Sequence, residues 1–327
     1  MNKLIVENSP HIRSKHTTDK IMARVLIALS PALIMSVYLF GLRAFALSVI
    51  CVLSCMVFEI LYRRFIKKDK EIDLSPAVTG LLLAFCLPVT FPFYMAVIGC
   101  FIAIIIVKQF FGGLGQNFAN PAVTARIVLF ISFTSESTYY VNAFHHKEAV
   151  TDITTGATPL ISGATPLALE AGEEIPDLIQ LLLGRHSGML GETCALALII
   201  GFVYMVMTRV IRPVIPLAYV GTVALGAFLA GENVLLHVLG GGLILGAVFM
   251  ATDYATTPVS IQGKFVFGVG CGLITLVIRF YSDMPEGVSF AILIMNILTF
   301  YIDRFTTPRA FGYKKPAPKE VKQNGKS

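Results

Sequence analysis

The sequence predicts an all-α polytopic membrane protein, with about ten transmembrane helices in two inverted five-helix repeats and several short or broken helices. Composition points there first. Of 327 residues, 55% are hydrophobic and only 14% charged, where a soluble domain carries about a quarter charged residues. Mean hydropathy is +0.75. Second, apolar runs near the roughly 20 residues that cross a bilayer recur along the chain. They are solidly apolar rather than alternating, which excludes an outer-membrane barrel. In lipid, a helix satisfies its backbone groups within its own segment. Third, the halves echo each other. Gly80-Leu81-Leu82-Leu83-Ala84-Phe85, then Pro88 and Pro92, parallels Gly246-Ala247-Val248-Phe249-Met250-Ala251, then Pro258. Gly99-Cys100 parallels Gly270-Cys271, and Lys108-Gln109-Phe110 parallels Arg279-Phe280-Tyr281, at an offset of about 166–171 residues. Repeats of five spans face opposite ways because five is odd. Inverted repeats with interrupted helices put ligand sites near the midplane, at the repeat interface.

Residues 1–22 form a polar N-terminal segment with Lys3, Arg13, Lys15 and Lys20. It lacks the apolar run and small-residue cleavage site of a signal peptide, so the first span is expected to be retained. The membrane domain covers 23–304. Repeat one, about 23–134, holds spans at 23–42, 44–62, 76–88, 92–110 and 121–134. The third and fifth abut Pro or Gly and are short for a bilayer, as half-helices or strongly tilted helices would be. A polar loop follows at 135–190. Repeat two, about 191–304, holds spans at 191–208, 211–231, 233–252, 263–281 and 287–304. The tail, 305–327, is Lys- and Pro-rich from Pro308 and has no residues to build a core.

Basic residues set the orientation. With the N-terminus inside, Lys3, Arg13, Lys15, Lys20, Arg24, Arg63, Arg64, Lys67, Lys68, Lys70, Lys108, Arg209, Arg212, Lys264, Arg304, Arg309, Lys314, Lys315, Lys319, Lys322 and Lys326 are all cytoplasmic, 21 of the 26. Outside fall Arg43, Lys147, Arg185 and Arg279, while Arg126 lies within a span. This bias puts both termini in the cytoplasm and loop 135–190 on the outer face of a bacterial or archaeal cytoplasmic (inner) membrane. The net charge of +6 follows membrane sidedness, so no nucleic-acid partner is implied.

Few residues look like ordinary catalysts. Cys51, Cys55, Cys86, Cys100, Cys194 and Cys271 lie in or beside apolar spans without a C-x-x-C pair, and read as small buried hydrophobes. Metal or cluster ligation by Cys100 and Cys271 is the sharper alternative. His145 and His146 have no partner at ligand spacing, and no Ser/His/Asp or paired-carboxylate arrangement stands out.

Three segments carry chemistry. In the outer loop, Asp152-Ile153-Thr154-Thr155-Gly156-Ala157-Thr158-Pro159-Leu160 is followed by Ile161-Ser162-Gly163-Ala164-Thr165-Pro166-Leu167. Small neighbours leave each threonine hydroxyl open, and each proline fixes the exit of its turn. This is an accessible hydroxyl on a constrained loop, fit for modification. The second segment is Phe110-Phe111-Gly112-Gly113-Leu114-Gly115-Gln116-Asn117-Phe118-Ala119-Asn120-Pro121-Ala122. Its glycines allow close backbone approach, and Asn117 and Asn120 offer both donors and acceptors, suited to the edge of a flat heterocycle. A plain Gly-Pro hinge is the other reading. The third is Ala251-Thr252-Asp253-Tyr254-Ala255-Thr256-Thr257-Pro258-Val259. An acidic group beside a long apolar span pairs, faces a cavity or stays in water. Asp253 therefore suits an ion path, a cofactor contact or the interface.

The loop resembles the acceptor site of a flavin transferase, Asp-x-x-Ser/Thr-Gly-Ala-Thr, at which FMN is joined to threonine through its phosphate. Asp152, Thr155, Gly156, Ala157 and Thr158 match in full. In the second copy Pro159 stands where the aspartate belongs, while the residues after it, Ala168-Leu169-Glu170, resemble those just downstream of a modified threonine. Thr158 is the first choice and Thr165 the alternative. With Ser9-Pro10-His11, Gly191-Glu192-Thr193 and the two other segments, the chain resembles the D subunits of Rnf electron-transport complexes. It is similar, more distantly, to the B subunits of sodium-translocating NADH:quinone reductases. The resemblance implies a membrane flavoprotein subunit of an ion-translocating oxidoreductase of the ferredoxin/NAD type, not catalytic alone. It implies covalent FMN on the outer face and coupling of electron transfer to Na+ or H+ transport. A second, noncovalent flavin (riboflavin) is implied beside Asn117 and Asn120, and less directly Asp253. The implied partners are flavin and iron–sulfur subunits, the flavin transferase and the lipid bilayer. A small-molecule or ion transporter or channel with inverted repeats is the rival, and has no need of the acceptor motif.

Overall fold

The computed structural model describes residues 17–68, 73–141, 143–144, 167, 177–282 and 287–307. Among them all regular structure is helical. The first half runs α1 (Thr18–Phe40), α2 (Leu42–Tyr62, continued by a π-helical turn Arg63–Lys67), α3 (Ser75–Phe85), α4 (Phe93–Phe101, continued as a π-helix Ile102–Gln109), α5 (Pro121–Ser132) and the single turn α6 (Thr134–Ser137). The second runs α7 (Leu178–Leu183), α8 (Ala195–Met207), α9 (Val214–Ala230), α10 (Val234–Leu239), α11 (Leu243–Leu245, continued as a π-helix Gly246–Met250), α12 (Ile261–Tyr281) and α13 (Val288–Thr306).

Four of these helices are long and apolar enough to cross a membrane: Thr18–Phe40, Leu42–Lys67, Ile261–Tyr281 and Val288–Thr306. Five shorter apolar helices, Ser75–Phe85, Phe93–Gln109, Pro121–Ser132, Ala195–Met207 and Val214–Ala230, complete a multi-pass membrane architecture. The shortness expected of the third and fifth spans is present in α3 and α5. The expected continuous helix at 233–252 is instead broken between α10 and α11. Gly241 and Gly242 adopt φ of +62° and +67° there, values open to glycine but strained for other residues. A glycine run inside apolar text carries no hydropathy signal, so sequence periodicity reads straight through it.

Each break leaves helix-end carbonyls in an apolar setting, and arginines close them. After α3, Arg43 donates from Nε to the Val89 carbonyl (2.8 Å) and from Nη2 to that of Thr90 (3.1 Å). The Leu190 and Gly191 amides also donate to the Leu87 (3.1 Å) and Phe85 (2.9 Å) carbonyls. After α10, Arg279 donates to the carbonyls of His237 (2.5 Å), Gly240 (3.3 Å) and Gly241 (3.3 Å).

Close helix approach depends on glycine, as expected where lipid removes the drive of apolar burial. A Cβ on Gly80 in α3 would stand 2.7 Å from the Cys51 carbonyl oxygen of α2, and one on Gly201 in α8 2.3 Å from that of Ala28 in α1. Gly268 and Gly272 on α12 make a small-residue seam against α9, where the Tyr219 hydroxyl pairs with Thr275 Oγ1 at 2.6 Å.

A buried ionic cluster ties α2, α3 and α4 together. Glu59 is 0% exposed and Lys108 1%. Lys108 Nζ lies 3.0 Å from Glu59 Oε2 and donates to Ser75 Oγ at 2.7 Å. Glu59 Oε1 accepts from Arg63 (2.9 Å), which also reaches Asp73 at 3.0 Å. Burial would raise the Asp73 carboxyl, but the Ser75 hydrogen bond and the charges of Lys108 and Arg63 outweigh it and hold it below the ordinary aspartate value.

Packing and pairing can each be tested by substitution. Gly80→Ala forces a Cβ onto immobile backbone and is expected to destabilise by about 1–3 kcal/mol. Gly221→Ala, with nothing within 4 Å of its Cβ, serves as the neutral control. Glu59→Gln leaves buried positive charge short of its partner and is expected to cost about 3–5 kcal/mol, with Glu59→Leu/Lys108→Met costing less than the single change. Thermal midpoints of the detergent-purified chain check both. Equal shifts for the single and double Glu59 variants would show that pairing is not the cause.

Candidate functional site

Of the residues that sequence reading singled out, Asp152, Thr155, Gly156, Ala157, Thr158 and Thr165 lie outside the described residues. The other three, Asn117, Asn120 and Asp253, line one cavity. Its empty space, counted out into open solvent, is about 680 Å3. Its walls come from both halves of the chain: α1, α3 and the α4–α5 connection on one side, and α8, the α8–α9 turn and residues 249–254 on the other.

The α4–α5 connection is shaped by Gly112, Gly113 and Gly115, with φ of +120°, +106° and +87°. It folds back on α4, with the Gly113 amide on the Lys108 carbonyl (3.0 Å) and Lys67 Nζ on the Gly112 carbonyl (2.6 Å). Asn117 is thereby turned into the cavity wall, 8% exposed, and its Oδ1 is a buried acceptor without a donor among the described residues. Such a group costs about 1–3 kcal/mol unless a ligand or water satisfies it.

Asn120 is spent differently. Its Oδ1 caps α5, accepting from the Ala122 (3.0 Å) and Val123 (3.4 Å) amides ahead of Pro121 at the first helical position. Its Nδ2 crosses to the other half and donates to the Met250 carbonyl at 3.1 Å. Asn120 thus builds the site, and Asn117 faces it. Asp253 is partly buried, accepts from Thr256 Oγ1 (3.3 Å) and gives its own carbonyl to Thr257 Oγ1 (2.8 Å).

Sequence reading missed three contributors. Lys108 and Ser75 also line the cavity; a lone lysine after the apolar run 101–107 was the available signal for the first. Asn296, 4% exposed in α13, lies between the two helix breaks. With its amide oxygen toward the Asn120 N–H (3.1 Å), its nitrogen donates to the Thr256 carbonyl (3.3 Å), the orientation that hydrogen bonding requires. Arg126 and Glu192 face each other at 3.6 Å, both buried, and Arg126 also donates to Ser289 Oγ (2.8 Å).

All six cysteines are buried. Among the described residues no group of three His, Cys, Asp or Glu side chains is placed to hold a metal ion. The cavity combines apolar walls (Ile21, Met22, Val25, Leu82 and Phe249) with an unmatched amide oxygen, an ammonium and a carboxylate. That set fits a flat heterocycle whose edge carries both N–H and carbonyl groups, so the residues present fit a flavin ring.

The family model described as NQR2, RnfD, RnfE matches residues 5–312. The D subunit of a Na+-translocating ferredoxin:NAD+ oxidoreductase complex from Acetobacterium woodii is 46% identical over 319 residues, 95% of this chain and 96% of the relative. The D subunit of a proton-translocating ferredoxin:NAD+ oxidoreductase complex from Clostridium ljungdahlii is 36% identical over 326 residues, 96% and 98% of the two chains. The D subunit of an ion-translocating oxidoreductase complex from Stutzerimonas stutzeri is 36% identical over 329 residues, 91% and 93%. The chain belongs to the NQR2, RnfD, RnfE family.

Proposed function

We propose that this chain is the membrane-embedded flavin-bearing subunit of an ion-translocating ferredoxin:NAD+ oxidoreductase complex. The observation that carries the reading is the convergence of Asn117, Asn120 and Asp253 on one cavity between the halves, with Asn117 Oδ1 left as an unmatched buried acceptor. The near full-length likeness to the D subunits of such complexes supplies the reaction class. In this reading the domain is two inverted five-span repeats with about ten spans. Both termini are cytoplasmic, and the 135–190 loop lies on the outer face of the inner membrane.

FMN joined to Thr158, or to Thr165, together with a riboflavin in the cavity, supplies reversible one- and two-electron chemistry. The chain's own work is to hold and orient. The motif Asp152-Ile153-Thr154-Thr155-Gly156-Ala157-Thr158 presents a hydroxyl to the flavin transferase. Tethering then keeps the carrier at high effective concentration beside its neighbouring subunits. In the cavity, Asn117 Oδ1 offers acceptance to a ring N–H, Lys108 supplies positive charge, and the apolar wall excludes water. Electron transfer is coupled to Na+ or H+ transport. The named relatives divide on the ion, one Na+ and one H+, so flux measurement with each ion decides it for this chain.

In-gel flavin fluorescence of the denatured chain, followed by mass analysis of the tryptic peptide 148–185, is expected to find an FMN-sized adduct. Thr158→Val is expected to abolish it and Thr165→Val to leave it. The reverse pattern moves the attachment to Thr165, and a dark band from cells that make the flavin transferase overturns the covalent reading. For the cavity, Asn117→Leu is expected to lower riboflavin released on denaturation by about tenfold, the loss of one buried hydrogen bond of about 1–1.5 kcal/mol. Covalent flavin should persist in that variant. Unchanged riboflavin would remove Asn117 from the site.

A further inference from the structure

A second, open cavity, with about 550 Å3 of empty space counted out into solvent, lies beyond the wall formed by Val210, Ile211, Thr252 and Tyr254, which both cavities share. Three basic side chains border it: Arg209 and Arg212 from the α8–α9 turn, and Lys264 from the first turns of α12. Among the described residues no carboxylate lies within ion-pair distance of any of them, and neither arginine has a hydrogen-bonded side-chain partner. Asp303 opposes Lys264 electrostatically, together with the like charge of Arg212. Asp303 is also engaged by the Val259 amide at 3.0 Å. Arg24 adds a fourth cation at the same end, donating to the Thr208 carbonyl at 3.3 Å.

The turn that presents these charges is built rather than loose. Arg209 holds φ +55°, a left-handed conformation disfavoured for a residue with a Cβ. The Arg209 and Val210 amides nevertheless close onto the Val206 (3.0 Å) and Met205 (2.9 Å) carbonyls. The Tyr254 hydroxyl donates to the Val210 carbonyl and fastens the turn to the loop after α11. Ile211 and Ile215 supply an apolar flank, and Thr257 a hydroxyl. Two arginines on a fastened turn, with Lys264 of α12 beside them, repel one another, and a bound anion would offset that repulsion.

We propose that this cavity binds a phosphate group of net negative charge, held by Arg209, Arg212 and Lys264. Arginine forks match phosphate oxygens in pairs, and lysine adds a compact charge. A basic pocket between transmembrane helices, on the side that the basic-residue bias assigns to the cytoplasm, faces two sources of that chemistry. One is the headgroup of an anionic phospholipid; the other is a soluble phosphate compound. The apolar flank of Ile211 and Ile215 favours the lipid.

Native mass spectrometry of the full chain in detergent tests this, with dioleoyl phosphatidylglycerol, dioleoyl phosphatidylcholine and inorganic phosphate as probes. Saturable phosphatidylglycerol binding is expected, preferred over phosphatidylcholine. At about 1 kcal/mol for each basic residue, it should weaken about 30-fold in Arg209→Gln/Arg212→Gln. Arg64→Gln/Lys68→Gln, which removes the same charge from an exposed basic segment at the same end, should retain it. Displacement by millimolar inorganic phosphate, or phosphate binding lost in the first variant alone, would keep the site and assign it to a soluble phosphate compound. Equal losses in the two variants would reduce the effect to general surface charge and overturn the proposal, as would absence of selective binding by any probe. All variants change exposed side chains, and an unaltered size-exclusion profile confirms that each is folded.

Discussion

The structure depends on one constraint: where a helix breaks inside an apolar slab, something from elsewhere in the chain must satisfy the freed backbone groups. The Asn120 side chain meets it twice, capping α5 and crossing 130 residues of sequence to the Met250 carbonyl. Asn296 stands between the same two breaks, and Thr299 Oγ1 adds a bond to the Thr256 carbonyl at 2.9 Å. The Asn120 bonds to Met250 and Asn296 join the first half to the second where their helices are interrupted, and those to Thr256 hold the second half's own break. The cavity that holds Asn117 and Asp253 exists because α5 starts, and the π-helix after α11 ends, at that junction.

The same constraint explains the basic residues that depart from the sidedness bias. Arg43 and Arg279 both spend their guanidinium donors on carbonyls freed by a break, one beyond α3 and one beyond α10. Arg126 is held inside by Glu192 and Ser289. A buried guanidinium is tolerable because several donors find acceptors at once, and its planar fork serves adjacent carbonyls with little loss of freedom. Of the basic residues that the sequence bias assigns to the cytoplasm, Lys108 is the one buried among the described residues, and Glu59 and Ser75 hold it.

The long apolar spans were legible because lipid imposes one period and one length on them. Pro92 and Pro121 announced the starts of α4 and α5, since proline is favoured at a helix's start. Asn117, Asn120 and Asp253 were legible as polar groups at span ends, yet sequence could not divide their labour. That Asn120 is consumed in capping while Asn117 keeps a free acceptor is a fact of three-dimensional placement. The break at Gly240–Gly242 was hidden in apolar text, and Asn296 in a run too hydrophobic to draw notice. The Glu59–Lys108 pair joins residues 49 apart through helix packing, which no local pattern records. Leu167, the last residue of the second threonine motif, was not expected at the α10–α11 break; a Cβ on Gly241 would stand 2.3 Å from its Cδ1. Contacts between distant segments leave no mark on either segment alone.

The ionic cluster also bears on how charge in the cavity would be felt. Lys108 is shared: its ammonium lines the cavity and at the same time binds Glu59, whose other oxygen binds Arg63, which reaches Asp73. Added negative charge on a ligand there attracts Lys108, in competition with Glu59, through surroundings that screen poorly. A weakened Lys108–Glu59 contact loosens the tie among α2, α3 and α4. The reverse holds as well: whatever strengthens that tie disfavours the charged ligand, because coupling between two binding equilibria is reciprocal. In the proposed reading, coupling electron arrival to ion movement calls for a group that answers to both, and a buried lysine shared between a cavity and a carboxylate network is such a group.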